Sequence, residues 1–188
     1  MSTISVFIHL SVDGCFAGPN GEIDWFKAIR KDEQYDQYTH QQAQVGHALL
    51  FGRKTYEMMK SYWPTPDAIK NDPHMAGVMN NSRKIVLSRT LTRVEEGPNW
   101  KNIELIREID RDRMLALKKT ADVTILGSGS IVQQLANLGL IDEFQLMVVP
   151  IVLGGGKQLF KDVRATNLNL VDSRGFKNGL VALKYRPA

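Results

Sequence analysis

Cysteine is almost missing from this chain: Cys15 stands alone in 188 residues. One thiol closes no intramolecular disulfide and builds no thiolate metal site, and it fits a reducing compartment. The four histidines, His9, His40, His47 and His74, fall at no metal-ligand spacing, so no metal is expected. No apolar run approaches membrane-spanning length. The start, Met1-Ser2-Thr3-Ile4, lacks the charged opening and long apolar stretch of a signal peptide. These absences predict a soluble, cytoplasmic protein. The net charge of +4 is mild and its basic residues are dispersed, with no interleaved aromatic platform, so nucleic acid is not an expected partner. There is no P-loop and no Gly-x-Ser-x-Gly elbow. Without a linker, repeat or low-complexity segment, residues 1–188 read as one domain.

What is present is an alternation of strands and helices. Residues 3–11 are β-branched and aromatic and predict a strand, in which His9 reads as a satisfied sheet residue. A glycine-rich loop follows. Residues 24–45 predict one helix with an apolar face carrying Trp25, Phe26, Ile29 and Tyr35, N-capped by Asp24. Residues 48–52 predict a short buried strand and 54–61 a helix. Pro64, Pro66 and Pro73 break 63–82, which predicts a surface excursion with at most a short helix. Strand 83–88, a polar connection through Ile103-Glu104-Leu105, helix 109–120, strand 122–126 and helix 130–138 come next, with Gly139 as C-cap. Phe144–Val149 predicts a strand. Leu168–Ser173 and Leu180–Tyr185 alternate apolar and polar residues around Gly175 and Gly179, a hairpin. The whole predicts an α/β protein with a mixed sheet flanked by helices.

Three of the predicted strands end in residues suited to anions. Ala48–Phe51 runs into Gly52, Arg53, Lys54 and Thr55. Ile85–Leu87 runs into Ser88 and Arg89. Val123–Leu126 runs into Gly127-Ser128-Gly129-Ser130, followed by Ile131 and Val132 at a helix start. In open α/β sheets ligands bind beyond the carboxyl ends of strands, and a helix N-terminus there accepts phosphate. The third glycine of a Rossmann fingerprint is missing, so the turn alone matches a plain strand-to-helix turn equally well. Two cationic clusters beside it tip the reading toward a phosphate monoester such as the 2′-phosphate of NADP. Asp13, after the first strand, is placed to orient a substrate or relay a proton, although an Asx-turn role is the commoner use. Trp25 and Ile23 are candidates to line a substrate pocket.

The order of these motifs resembles the dihydrofolate reductase fold. It is closer still to the reductase domain, the C-terminal half, of the bacterial riboflavin-biosynthesis deaminase-reductase. Ser11-Val12-Asp13-Gly14 is similar to that domain's S-x-D-G. Leu49-Leu50-Phe51-Gly52-Arg53-Lys54-Thr55-Tyr56-Glu57 resembles its G-R-x-T-Y-E. Leu140-Ile141-Asp142-Glu143, then Val149-Pro150-Ile151-Val152-Leu153-Gly154-Gly155-Gly156 and Leu159-Phe160, resemble its L-x-D-E, P-x-x-L-G-G-G and L-F. The resemblance spans nearly the whole chain.

It implies a three-layer α/β/α sandwich, with a mostly parallel mixed sheet ending in an antiparallel C-terminal hairpin. It also implies NADPH as cofactor and hydride transfer to a small pteridine- or pyrimidine-like heterocycle. Phe16 and Ala17 would lie along the nicotinamide. Gly52, Arg53, Lys54 and Thr55 would hold phosphates, and Leu87, Ser88 and Arg89 would surround the adenine ribose. Gly127 to Val132 would wrap the pyrophosphate, with Gly18–Ile23 as a mobile cover. A homodimer pairing through 144–153 is expected from the relatives. Two positions depart from the family. Arg30 stands where dihydrofolate reductases carry their acid, counting on from Trp25, and Leu126 stands where riboflavin-pathway enzymes tend to carry a glutamate. The zinc-bearing deaminase half is absent from the chain. Two alternatives stay open: 5-amino-6-(5-phosphoribosylamino)uracil reductase, or a nucleotide-binding homodimer that has lost catalysis.

Overall fold

The computed structural model describes residues 2–43 and 47–188. Its centre is an eight-stranded sheet in the order β5-β4-β3-β6-β1-β7-β10-β9. The strands are β1 (Ile4–Ser11), β3 (Ala48–Gly52), β4 (Lys84–Leu87), β5 (Ile103–Ile106), β6 (Val123–Gly127), β7 (Glu143–Val149), β9 (Leu168–Gly175) and β10 (Val181–Pro187). The first six in the order run parallel; β10 is antiparallel to β7 and to β9. A separate two-stranded ribbon pairs β2 (Cys15–Ala17) with β8 (Lys157–Gln158). Parallel strands need crossovers, and helices on both faces supply them. This is the expected three-layer α/β/α sandwich with its C-terminal hairpin.

The two faces are covered differently. One carries a continuous core, from Ile4, Val6, Ile8 and Leu10 of β1 through Ile125 of β6 to Phe144 of β7. It is closed by α5 (Arg111–Thr120) and α6 (Gly129–Asn137). The other carries two smaller clusters. Trp25, Tyr38, Met147 and Phe176 gather near α1 (Glu33–Gln42), whereas Phe51, Tyr56, Met79 and Trp100 gather near α2 (Arg53–Tyr62) and α4 (Pro73–Asn81). Between the two clusters the sheet face is open.

Several expectations are corrected. The single helix over 24–45 is two pieces: a 3-10 turn at Asp24–Ala28 and α1, with residues 44–46 of that expectation outside the described residues. The cap of α1 is Asp32, whose carboxylate accepts from the amides of Gln34 and Tyr35. Residues 63–82 hold two helices, α3 (Pro66–Asn71) and α4. Pro66 and Pro73 start these helices, because proline suits the first helical position and Thr65 and Asp72 cap just before it. Ile103–Ile106 is an edge strand, not a connection. The expected pairing through 144–153 meets an obstacle: β7 is interior, bonded to β1 and β10 on its two sides, so it has no edge to offer.

Lys84 pins the α4 end of the molecule. It is fully buried, and its ammonium donates to the carbonyls of Asn80, Ser82 and Lys101 while lying 4.4 Å from the Trp100 ring. Burial lowers its pKa to about 8, so the ammonium form, with three protons for three carbonyls, persists at neutral pH.

Candidate functional site

All six parallel strands end on the same side, so the anion-suited turns meet there. Gly52 closes β3 and Gly127 closes β6, and the two turns touch. A Cβ on Gly52 would fall 2.8 Å from the Ser128 hydroxyl and 3.4 Å from its amide nitrogen. A Cβ on Gly127 would fall 3.0 Å from the Thr55 hydroxyl, and Gly127 has φ +122. The Gly127–Ser128 peptide is cis. Phe16 lies across the turn, its ring 2.2 Å from where a Cβ of Gly129 would be. Only glycine at these positions lets the chains approach so closely.

Helix capping marks the same place. Side chains of Asp32, Thr65, Asp72 and Asp110 cap α1, α3, α4 and α5. The two remaining α-helices among the described residues, α2 and α6, begin at Gly52 and Ser128 with no side-chain cap. Their first amides have no partner within the helix and are open to an anion.

These turns form the mouth of a cleft of about 1460 Å³. That exceeds the roughly 300–1,000 Å³ of one ligand site, so it has room for more than one molecule. Thirteen residues expected at the cofactor line it: Phe16, Ala17, Gly52, Arg53, Lys54, Thr55, Leu87, Ser88, Arg89, Gly127, Ser128, Ser130 and Ile131. Gly129 is covered by Phe16, and Val132, fully buried, belongs to the core beneath α6. Among the described residues Lys54, Arg89 and Lys157 have no ion-pair partner, whereas Arg53 meets Glu57 at 3.4 Å. Ser88 is not free to reach out: its hydroxyl accepts from the amides of Thr90 and Leu91 and holds that turn. Arg107, missed in the sequence, braces the turn through the carbonyls of Ser88, Leu91 and Thr92 and lines the cleft.

Two expectations fail on placement. Asp13 does not line the cleft. Its carboxylate accepts from the amides of Leu153 and Gly154, at 3.1 and 2.9 Å, and so pins the 150–156 turn. Ser11 first and then the Leu153 amide hold its carboxyl below the ordinary value. Trp25 is 9% exposed and packs with Tyr38, Met147 and Phe176, outside the cleft. Ile23 does line it. Arg30, counted at the acid position of one long helix, is an exposed residue before α1 begins.

The floor of the cleft is the open sheet face, and here β1 contributes Ser5, Phe7 and His9. His9 is no bland sheet residue. Its Nε2 lies 2.5 Å from the Tyr35 hydroxyl of α1, and Phe7 and Phe26 flank its ring. Burial lowers the His9 pKa to about 4 and raises that of Tyr35, so both are neutral near pH 7. The pair therefore holds two exchangeable protons. When Nε2 accepts from Tyr35, the second proton sits on Nδ1, which has no partner among the described residues. The signal in the sequence was period two: Ile4, Val6, Ile8 and Leu10 on one side, and Ser5, Phe7 and His9 on the other.

Known proteins match over the full length. The model of the RibD C-terminal domain matches residues 2–182. YyaP, an uncharacterized protein of Bacillus subtilis (strain 168), is 31% identical over 181 residues, covering 95% of this chain and 91% of its own. A putative riboflavin biosynthesis protein from Shewanella sp. PV-4 superposes with a TM-score of 0.78 at 25% identity, covering 99% of both chains. For a Thermotoga maritima diaminohydroxyphosphoribosylaminopyrimidine deaminase/5-amino-6-(5-phosphoribosylamino)uracil reductase the TM-score is 0.67 at 13% identity. That likeness covers all of this chain and 57% of the other, and it shows the fold alone. The glycine turns, the strand order and the near-complete family match agree, and the chain belongs to the RibD C-terminal domain family.

Proposed function

We propose that the protein is an NADPH-dependent reductase acting on a flat pteridine- or pyrimidine-like compound with a C=N or C=O group. The observation that carries this is the convergence of the two uncapped helices, α2 and α6, on one cleft mouth. The residues there suit a dinucleotide phosphate: glycines whose Cβ atoms would fill the cradle, open amides for the pyrophosphate, and Arg89, Lys54 and Lys157 for a further phosphate. When bound, the cofactor supplies the hydride. The chain holds the substrate on the floor, excludes water with the Gly18–Ile23 loop, and keeps a proton ready at the His9–Tyr35 pair, where Asp13 cannot reach.

The reductase step of riboflavin biosynthesis is the second reading. The names of the Shewanella and Thermotoga proteins favour it, and Leu126, where those enzymes tend to carry a glutamate, counts against it. We also propose that copies pair as a homodimer through β9, an exposed edge strand bearing Leu168, Leu170 and Val171; a monomeric mass in solution removes this.

Calorimetric titration with NADPH and with NADH tests the main reading. NADPH should bind at least about tenfold more tightly, the worth of one charge-assisted phosphate contact, and Arg89→Ala should shrink that preference. Tyr35→Phe should slow turnover with NADPH affinity unchanged. A protein that binds neither dinucleotide is not this reductase.

A further inference from the structure

The cleft continues past the cofactor level, down the sheet face toward the strand starts. Strand register sets its levels. His9 lies beside Met147, Phe7 beside Gln145, and Ser5 beside both Glu143 of β7 and Thr124 of β6. Lys184 of β10 pairs with Gln145. All of these except Met147 line the cleft, together with Thr39 and Gln42 of α1. The central strands of a parallel sheet covered on both faces normally carry near-continuous apolar residues. Here β6, β1 and β7 set a hydroxyl, a second hydroxyl and a carboxylate in one row, with an amide and an ammonium beside them.

The charges in this arm are already matched. Glu143 accepts from Gln145 at 2.9 Å and from Arg186 at 2.9 Å, and Lys184 stands 3.4 Å away. Burial opposes its charge, but Gln145, Arg186 and Lys184 outweigh burial and hold its carboxyl below the ordinary value. Lys184 also reaches the Gln42 amide oxygen at 3.5 Å. What is unmatched is neutral. Gln145 is only 9% exposed, and its Oε1 has no hydrogen-bond partner. An unsatisfied buried acceptor costs about 1–3 kcal/mol, which a ligand O–H or N–H would recover. The mouth is the opposite case, with three unpaired cations and open helix amides.

We propose that this deep arm binds an uncharged, hydroxyl- or amide-bearing tail on the substrate, and that it turns away a tail ending in phosphate or carboxylate. The substrate is then a flat head on Phe7 and His9 with a neutral polar chain running over Ser5, Thr124 and Gln145. An added anion there faces the fixed Glu143 carboxylate without a spare cation, and an unpaired buried charge is costly. The assignment of head and tail rests on the reductase reading; the chemistry of the arm does not.

Three probes share one head: pterin with no tail, neopterin with a trihydroxypropyl tail, and neopterin monophosphate. Each is titrated into the full chain with and without NADP+, following heat and the side-chain amide NMR signals of Gln145 and Gln42. Neopterin should bind at least about tenfold more tightly than pterin, shift both amides, and lose that advantage when phosphorylated. Gln145→Leu should remove the gain and leave NADP+ affinity unchanged. Ser5→Ala, on the other wall of the arm, should do the same should Gln145→Leu fold poorly. Equal affinity for all three probes, tighter binding of the phosphate, or amides silent to every probe overturns the proposal. Failure of NADP+ to bind overturns the reductase reading instead, and the amide shifts still decide the arm.

Discussion

Along β1, Ile4, Val6, Ile8 and Leu10 enter a continuous apolar core, while Ser5, Phe7 and His9, one residue out of step, floor an open cleft. Adjacent residues of one strand thus serve different ends. The face under α5 and α6 is sealed and supplies stability. The face under α1, α2 and α4 has its core split into two clusters, and the gap between them is the candidate site. A sheet can carry both only because its side chains alternate, so a change at one residue should act on one face and leave the other alone.

Ile125→Ala is the strongest attempt to break this division. Ile125 is fully buried in β6 on the sealed face. Truncating such an isoleucine should cost about 2–5 kcal/mol through lost transfer energy and a residual cavity. Denaturant unfolding should show that loss, while calorimetry on the folded fraction should return the wild-type NADPH affinity. A parallel loss of NADPH affinity at permissive temperature would show that the faces are mechanically coupled.

Acid sharpens the comparison from the cleft side. The His9 pKa falls from 6.5 to about 4 on folding because burial penalises the imidazolium. Between those values the unfolded chain takes up a proton that the folded chain refuses. Stability from this residue is therefore complete above pH 6.5, declines as pH drops toward 4, and declines no further below it. A shift of that size is worth at most about 3 kcal/mol. His9→Gln should flatten the dependence in this window. An unchanged slope in the variant would mean that other groups carry it.

Much of this arrangement was legible in the residues, and the rest was hidden for identifiable reasons. Gly52-Arg53-Lys54-Thr55 and Gly127-Ser128-Gly129-Ser130 announce themselves, because tight approach admits only glycine and the chemistry is local. Asp13 misled because its partners, the amides of Leu153 and Gly154, lie 140 and 141 residues away. Tyr35 went unassigned for the same reason: its meeting with His9 joins a helix to a strand 26 residues earlier. Pro66 and Pro73 looked like breakers, since a proline's position within a helix is invisible until the caps are seen. Glu143 and Gln145 sat inside an apolar strand pattern, and only the register of β1, β6 and β7 shows that their side chains share a row with Ser5 and Thr124.

The smallest expected effect is the most discriminating. Thr124 neighbours Ile125 and faces the cleft, with its hydroxyl 3.5 Å from Ser5 and 3.4 Å from His47. Both are long contacts, so Thr124→Val keeps the β-branched shape and gives up little. Its unfolding free energy should stay within about 0.5 kcal/mol of wild type. On the sealed face a threonine would be a buried burden and valine a clear gain; on the cleft face the hydroxyl is kept for something other than stability. Valine here should weaken neopterin binding and spare NADPH. A stability gain well above that range, with ligand binding untouched, would mean that Thr124 belongs to a closed core and that the division between the faces lies elsewhere.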